Sequence, residues 1–400
     1  MPGLRVKVGL IFCAPMLALS ACATPGLRDA VPQSLVGEAK VPGLDNVRIW
    51  GDSDPAGVER FLRTEEASAS VEWKARIASG ATIQSNILVL SGGADDGAFG
   101  AGLLVGWGKT GKRPQFDLVT GISAGALIAP LIFVGAEFDG RLATVFTTHD
   151  SGELYQANVL AGLLGGPALA DSGPMAKLID SYVDAELMRR VAEERSKGRI
   201  LIVGTTNIDA QRPVFWDMGR IAQSNDPNAI DIFRRVLLAS ASVPGVFPPV
   251  HFPVKAGGKS YEELHVDGGA TRQLFLSPGD FSFKAVDKAL GRKIKRTLYV
   301  IRNGKIGPEW KATVETTLSV AQRSLETLTK NQGIGDLIRI YSKAQKDNID
   351  YNLIAIPDNF SAPRPDVFSL AYMKPLYAEG LAQGEGTIKW LKAPPGLSDN

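Results

Sequence analysis

Residues 116–130, "FDLVTGISAGALIAP", place a short apolar run, a glycine-flanked serine and a longer apolar run in immediate succession. The first run suits a strand covered on both faces, and the second a helix packed back against it. Between them Ser123 stands at the centre of G-x-S-x-G, with Gly121 and Gly125 on either side. A sharp strand-to-helix turn of this kind projects the serine, and the following helix N-terminus favours developing negative charge. Taken alone, the five residues fit a nucleophile elbow and a plain packing turn equally well.

The same alternation runs outward from this stretch. "NILVLS" (86–91) precedes it, and "RILIVGTTN" (199–207), "ELHVDG" (263–268), "TLYVIRN" (297–303) and "NLIAIP" (352–357) follow, each short, apolar and punctuated by Gly, Asn or Pro. Helices are expected directly after Ser123 and at 173–195, 228–241 and 311–330. In the last, Val314, Leu318, Ala321, Leu325 and Leu328 recur three or four apart, which predicts a core-facing stripe, and "NQGIGD" (331–336) predicts a break. The fold class is therefore α/β, in layers around a mostly parallel sheet. Residues 22–83 read as a tether followed by one or two peripheral helices, and residues 84–395 as the main domain.

Composition removes several function classes. With 44% hydrophobic and 22% charged residues the chain is an ordinary globular one. Its net charge of +2 is supplied by Arg5 and Lys7, so no basic excess remains for nucleic acid. The three histidines are far apart, and Asp95–Asp96 and Glu262–Glu263 lack helical ligand spacing, so no metal and no other cofactor is expected.

Two further strand ends carry candidate chemistry. "SGGADDGAFGAG" (91–102) follows the first strand, and such a turn leaves backbone N–H groups free to face an anion. It lacks the Lys and Ser/Thr of a phosphate loop and the G-x-G spacing of a dinucleotide site, which leaves an oxyanion hole or a packing turn. "HVDGGATRQ" places Asp267 at another strand end, where a carboxylate could serve as a base if burial raised its pKa, or stand as an ordinary solvated turn. In open α/β folds ligands bind at the carboxyl ends of the strands, so the three sites converge on one edge.

In this order, the motifs resemble those of bacterial patatin-like phospholipases. "LLASASVPGVFPPV" (237–250) resembles that family's A-S-x-x-x-P-x-x-F-x-P segment, and residues 203–222 are similar to the strand pair placed before it. The resemblance implies a three-layer α/β/α fold and hydrolysis of lipid acyl esters, with Ser123 as nucleophile, Asp267 as base and the amides of Gly92, Gly93 and Ala94 as oxyanion hole. Ala94 and Asp96 stand where the family usually shows a third glycine and a basic residue, and a catalytically weak, lipid- or partner-binding lipoprotein is the competing reading. A triad using His265 with an earlier acid also stays open, although no histidine follows Asp267 as a Ser, acid, His order would require. The apolar, glycine-rich "NVLAGLLGGPALA" (158–170) is core packing or a flexible wall or lid of an acyl pocket.

The first 21 residues have the order of a targeting leader: a basic start, an apolar stretch broken by Pro15, then small residues. "LSAC", ending at Cys22, resembles the lipobox of bacterial lipoproteins, which implies a lipid-modified Cys22 and a place in the cell envelope. Ala23 stands where retained inner-membrane lipoproteins tend to carry Asp, so the same resemblance points to the outer membrane, with membrane lipids or other acyl esters as substrate and the membrane surface as partner.

Overall fold

The computed structural model describes residues 28–68, 74–75, 78–79, 82–154, 156–157, 168, 170–279, 281–291 and 294–397. The leader, Cys22 and all of segment 158–170 except Ala168 and Ala170 lie outside the described residues.

Among the described residues, nine strands form the central sheet: β1 (Arg48–Trp50), β2 (Ile83–Leu90), β3 (Leu118–Gly121), β4 (Ile200–Asn207), β5 (Arg212–Asp217), β6 (Val250–Ala256), β7 (Lys259–Asp267), β8 (Ile294–Arg302) and β9 (Asp350–Ala355). Their order is β1-β5-β4-β3-β2-β8-β9, and the β6–β7 hairpin joins through β7 to β4. Strands β4, β3, β2, β8 and β9 are mutually parallel, and β5 and β7 run antiparallel to β4. All six stretches expected to be strands are strands. Strand β1 is a departure, since a segment expected to be peripheral pairs with β5 and enters the sheet.

Helices cover both faces: α1 (Pro55–Ser68), α2 (Gly97–Lys109), α3 (Ala124–Val134), α4 (Asp139–Thr147), α5 (Gly173–Tyr182), α6 (Ala185–Ser196), α7 (Ala229–Ala241), α8 (Phe283–Ala289), α9 (Thr317–Lys346) and α10 (Leu370–Glu385). The larger apolar core lies under α2, α3, α4, α7 and α10. The second lies under α8 and the C-terminal half of α9, where Leu337, Ile340 and Ala344 meet Val89, Leu298 and Leu353. The layering is the expected three-layer one. The predicted 173–195 helix is two helices, because Asp184 caps a new start by accepting from the N–H of Leu187 at 2.8 Å.

Helix α9 overturns two expectations. "NQGIGD" does not break it, since Gly333 and Gly335 lie within one 30-residue helix. A side chain at Gly333 would meet the Arg302 guanidinium at 2.9 Å, so the glycine lets the helix pass the end of β8. The stripe of Val314, Leu318, Ala321, Leu325 and Leu328 does not face the core but is exposed, with Leu318 62% and Leu328 68% accessible.

Strand β4 sets the spacing of the site. One edge of β4 pairs with β5 over Ile202–Asn207, so its other neighbours share the remaining edge. There β3 ends with Gly121 opposite Val203, and β7 ends with Asp267 opposite Thr205. The two strand ends thus face each other two residues apart, about 7 Å along β4.

Candidate active site

Ser123 follows β3 in a backbone conformation that L-residues rarely adopt, φ 54° and ψ −124°. Such strain, about 1–3 kcal/mol, persists only where surrounding contacts enforce it. Those contacts are present. The Ser123 N–H donates to Ser240 Oγ (3.0 Å), and Ser240 in turn donates to the Gly204 carbonyl (2.7 Å). The flanking glycines are sterically required, because a side chain at Gly125 would lie 2.5 Å from the Leu90 carbonyl oxygen and one at Gly121 would strike the Gly125 carbonyl.

Asp267 is held by the same helix terminus. Its N–H donates to the Ser242 carbonyl (2.8 Å), so the end of α7, within the "ASAS" of residues 239–242, fixes the backbones of both residues. The carboxylate is buried, and its Oδ1 accepts from the Gly269 N–H at 2.6 Å. Burial pushes the Asp267 pKa up to about 7, against opposing contributions from the Ser123 hydroxyl and the Gly269 N–H. Ser123 is thus close enough to act on the carboxylate. Yet Asp267 Oδ2 closes no hydrogen bond, which leaves a buried acceptor beside the serine. Serine–base hydrogen bonds often tighten only once substrate is bound.

The glycine-rich turn lies against this pair. The Gly92 N–H, expected to face an oxyanion, instead donates to the Gln273 carbonyl (3.1 Å) and is committed to structure. Among the described residues the N–H groups of Gly93, Ala94 and Ala124 have no acceptor. The Ala124 N–H was not singled out in the sequence, although it opens the helix directly after Ser123. Ala94 adopts φ 50°, so it takes the left-handed conformation a glycine would occupy, at about 1–2 kcal/mol.

The two acidic residues of the turn find partners far along the chain. Asp95 is fully buried and accepts two hydrogen bonds from Arg364, one from Nε at 3.0 Å, and a third from the Phe368 N–H at 3.1 Å. Asp96 accepts from the Tyr372 hydroxyl at 2.6 Å. Burial raises the Asp96 pKa to about 6, with the charges of Asp95 and Glu309 adding to it against Arg364 and Tyr372. A cation therefore does hold the turn, but it arrives from residue 364. Asn303 completes the fixation, its Nδ2 donating to the Ser91 carbonyl (2.8 Å) and its Oδ1 accepting from the Gly100 N–H (3.2 Å).

An apolar cavity opens from Ser123 and Ala94. Leu127 of α3, Phe146 of α4, Met175 and Leu178 of α5, Phe368 just before α10 and Met373 within it line it. Among the described residues no ionisable group lines it, so it suits an alkyl chain.

His265 does not join the pair. It is fully buried, with Nδ1 2.8 Å from Thr205 Oγ1 and Nε2 3.0 Å from Glu263 Oε2. Both ring nitrogens are engaged there, and burial lowers its pKa. Arg48 pairs with Glu263 through both carboxylate oxygens, so the cluster ties β1 to β7. His149 and His251 each face a neighbouring carboxylate, Glu153 and Glu262. No group of three potential metal ligands occurs among the described residues.

Residues 88–278 match the family model described as patatin-like phospholipase. The match spans the turn, the elbow and Asp267. The sheet continues beyond it, because β8 pairs parallel with β2 and β9 parallel with β8; Asn303 directly follows β8, and Arg364 lies further on still. No curated protein matches the chain. Among solved structures, VipD from Legionella pneumophila is similar at 11% identity and a TM-score of 0.35, with 76% of this chain and 67% of that one covered. Full-length ExoU with SpcU from Pseudomonas aeruginosa gives 12% and 0.29, covering 76% and 52%, and human GIVD cytosolic phospholipase A2 gives 9% and 0.33, covering 89% and 66%. The chain thus spans about half to two thirds of the length of these structures.

Proposed function

We propose that the chain is a serine acyl hydrolase that cleaves lipid acyl esters through a Ser123–Asp267 dyad. The observation that carries this reading is the buried, unpartnered Oδ2 of Asp267 beside a strained Ser123, with the carboxylate pKa raised to about 7. A carboxylate of that basicity can accept the Ser123 proton near neutral pH. The serine oxygen then adds to the ester carbonyl, and the amides of Gly93, Ala94 and Ala124 face the oxyanion. Collapse breaks the ester C–O bond, the proton on Asp267 passes to the departing oxygen, and the alcohol or lysolipid leaves an acyl-serine behind. Water adds to that ester as Asp267 takes its proton, the acyl–Oγ bond breaks as the proton returns to Ser123, and the fatty acid departs.

The apolar cavity next to Ser123 supports an aliphatic acyl group as the part recognised. The patatin-like phospholipase match over residues 88–278 supports a lipid as the class of substrate. We further infer a bacterial lipoprotein of the outer membrane, anchored through Cys22, on the strength of the leader and "LSAC". No helix among the described residues is long and apolar enough to cross a membrane.

The test is fatty acid release from diacyl phospholipid, lysophospholipid and triacylglycerol substrates. Release from at least one, lost in Ser123→Ala, is the expected result. No release from any of them by folded protein would refute the reading.

A further inference from the structure

Among the described residues, exposed large apolar side chains are not scattered. Of twelve, nine lie on segments at the carboxyl edge of the sheet, the edge that holds Ser123. Ile208 follows the end of β4, and Val367 precedes Phe368 of the acyl cavity. The densest group lies on residues 304–316 and the start of α9. Trp310 is 91% exposed, and Leu318, Leu325 and Leu328 are 62%, 51% and 68% exposed.

The geometry of α9 explains why. Gly333 passes the last residue of β8, Arg302, and residues 317–332, about 24 Å of helix at 1.5 Å per residue, precede that passage and bury no side chain. Behind Gly333 the helix is fixed, since Asp336 accepts from the N–H of Gln273, whose own carbonyl holds Gly92 of the active-site turn. Ahead of it, Arg323 donates to the Glu309 carbonyl, and Lys330 donates to the Gly307 carbonyl and pairs with Glu309 at 2.9 Å. The polar side of the helix thus holds the 304–316 segment. The leucines face away, and Trp310 stands on the held segment.

We propose that this projecting arm docks on a lipid surface and brings the catalytic edge to membrane-resident substrate. The proposal rests on the acyl hydrolase reading for its purpose, not for its geometry. A rigid arm with leucines along one side and an exposed tryptophan suits the boundary between headgroups and acyl chains. A second copy of the chain fits it less well. The seam Leu318, Ala321, Leu325, Leu328 spans two heptads and meets Gln332 at the next seam position, short of the three or four heptads of a coiled coil. It is also well below the ~20–30 residues that each side of a stable interface contributes.

The test uses the full chain with vesicles of phosphatidylethanolamine and phosphatidylglycerol (3:1), plain or brominated in the acyl chains. Trp310 is one of six tryptophans, so its emission is the difference between wild type and Trp310→Phe. That difference is expected to be quenched by brominated lipid, and equally so in Ser123→Ala, which keeps the result independent of any activity. A Leu318→Ser/Leu325→Ser/Leu328→Ser variant is expected to lose about tenfold or more in hydrolysis of vesicle lipid while staying within about twofold on a soluble short-chain ester. Unquenched Trp310 overturns the proposal whether or not the variant folds, and so does equal loss on both substrates. A wild-type dimer without lipid that the triple variant converts to monomer overturns it in favour of a second copy.

Discussion

Ser240 Oγ accepts the backbone N–H of Ser123 at 3.0 Å while donating to the Gly204 carbonyl at 2.7 Å. One hydroxyl therefore bridges the strained Ser123 backbone and the central strand β4, and is buried in doing so. Ser240→Ala is expected to leave both groups unsatisfied and destabilise the fold by roughly 1–3 kcal/mol. Because Ser240 holds backbone and not substrate, it is a positioning residue. kcat should fall about 10–100-fold with KM little changed, which stopped-flow or steady-state kinetics on a soluble ester would read.

The pH dependence follows from Asp267. Its native pKa, about 7, lies above the ordinary value of 3.8, so activity should rise with pH as the carboxylate ionises around pH 7. The effect on stability has the opposite sign. Between about pH 4 and 7 the native state binds the proton that the unfolded chain has lost, so this group's stabilising contribution is full below pH 4 and fades as pH rises through 7. Asp267→Asn should therefore be inactive yet more stable than wild type at pH 8, by on the order of 1–3 kcal/mol in chemical denaturation.

Arg364 should matter to the active site although it lies 86 residues beyond the end of the patatin-like match, 278 against 364. Arg364→Ala leaves the buried Asp95 carboxylate without its main partner. A buried pair broken from one side costs about 3–5 kcal/mol, and the 41% exposure of the Arg364 side chain reduces this to about 2–3. Adding Asp95→Asn to Arg364→Ala should recover part of the melting temperature, and a double-mutant cycle would measure the coupling.

Gly125→Ala tests the elbow sterically. Its new methyl would lie 2.5 Å from the Leu90 carbonyl oxygen and 2.7 Å from that of Ser91, both backbone atoms that cannot rotate away. The expected outcome is a loss of about 2 kcal/mol or more together with activity, whereas Gly111→Ala, with nothing near its added carbon, should cost about 1–2 kcal/mol for its positive φ and leave kcat unchanged.

Much of this site was legible because its parts are local. Strand, glycine-rich turn and helix are contiguous at Gly121–Gly125 and at Gly92–Ala94, and a strand ends at Asp267, so pattern and turn chemistry locate them. What escaped reading was non-local. Nothing near Asp95 announces Arg364, and the commitment of the Gly92 N–H depends on a carbonyl at Gln273. The Val314 to Leu328 stripe was misread for a physical reason: helical periodicity reports that a face is apolar, not what covers it. "NQGIGD" was misread because a helix glycine can serve close passage, here past Arg302, as well as termination.

The central claim is that Ser123 is a nucleophile activated by Asp267. Covalent labelling with a fluorophosphonate serine-hydrolase probe tests it most directly, on wild type, Ser123→Ala, Asp267→Asn and His265→Ala. The account predicts labelling of wild type and His265→Ala, and its loss in Ser123→Ala and Asp267→Asn. No labelling of folded wild-type protein, or labelling that survives Ser123→Ala or disappears in a folded His265→Ala protein, would contradict it.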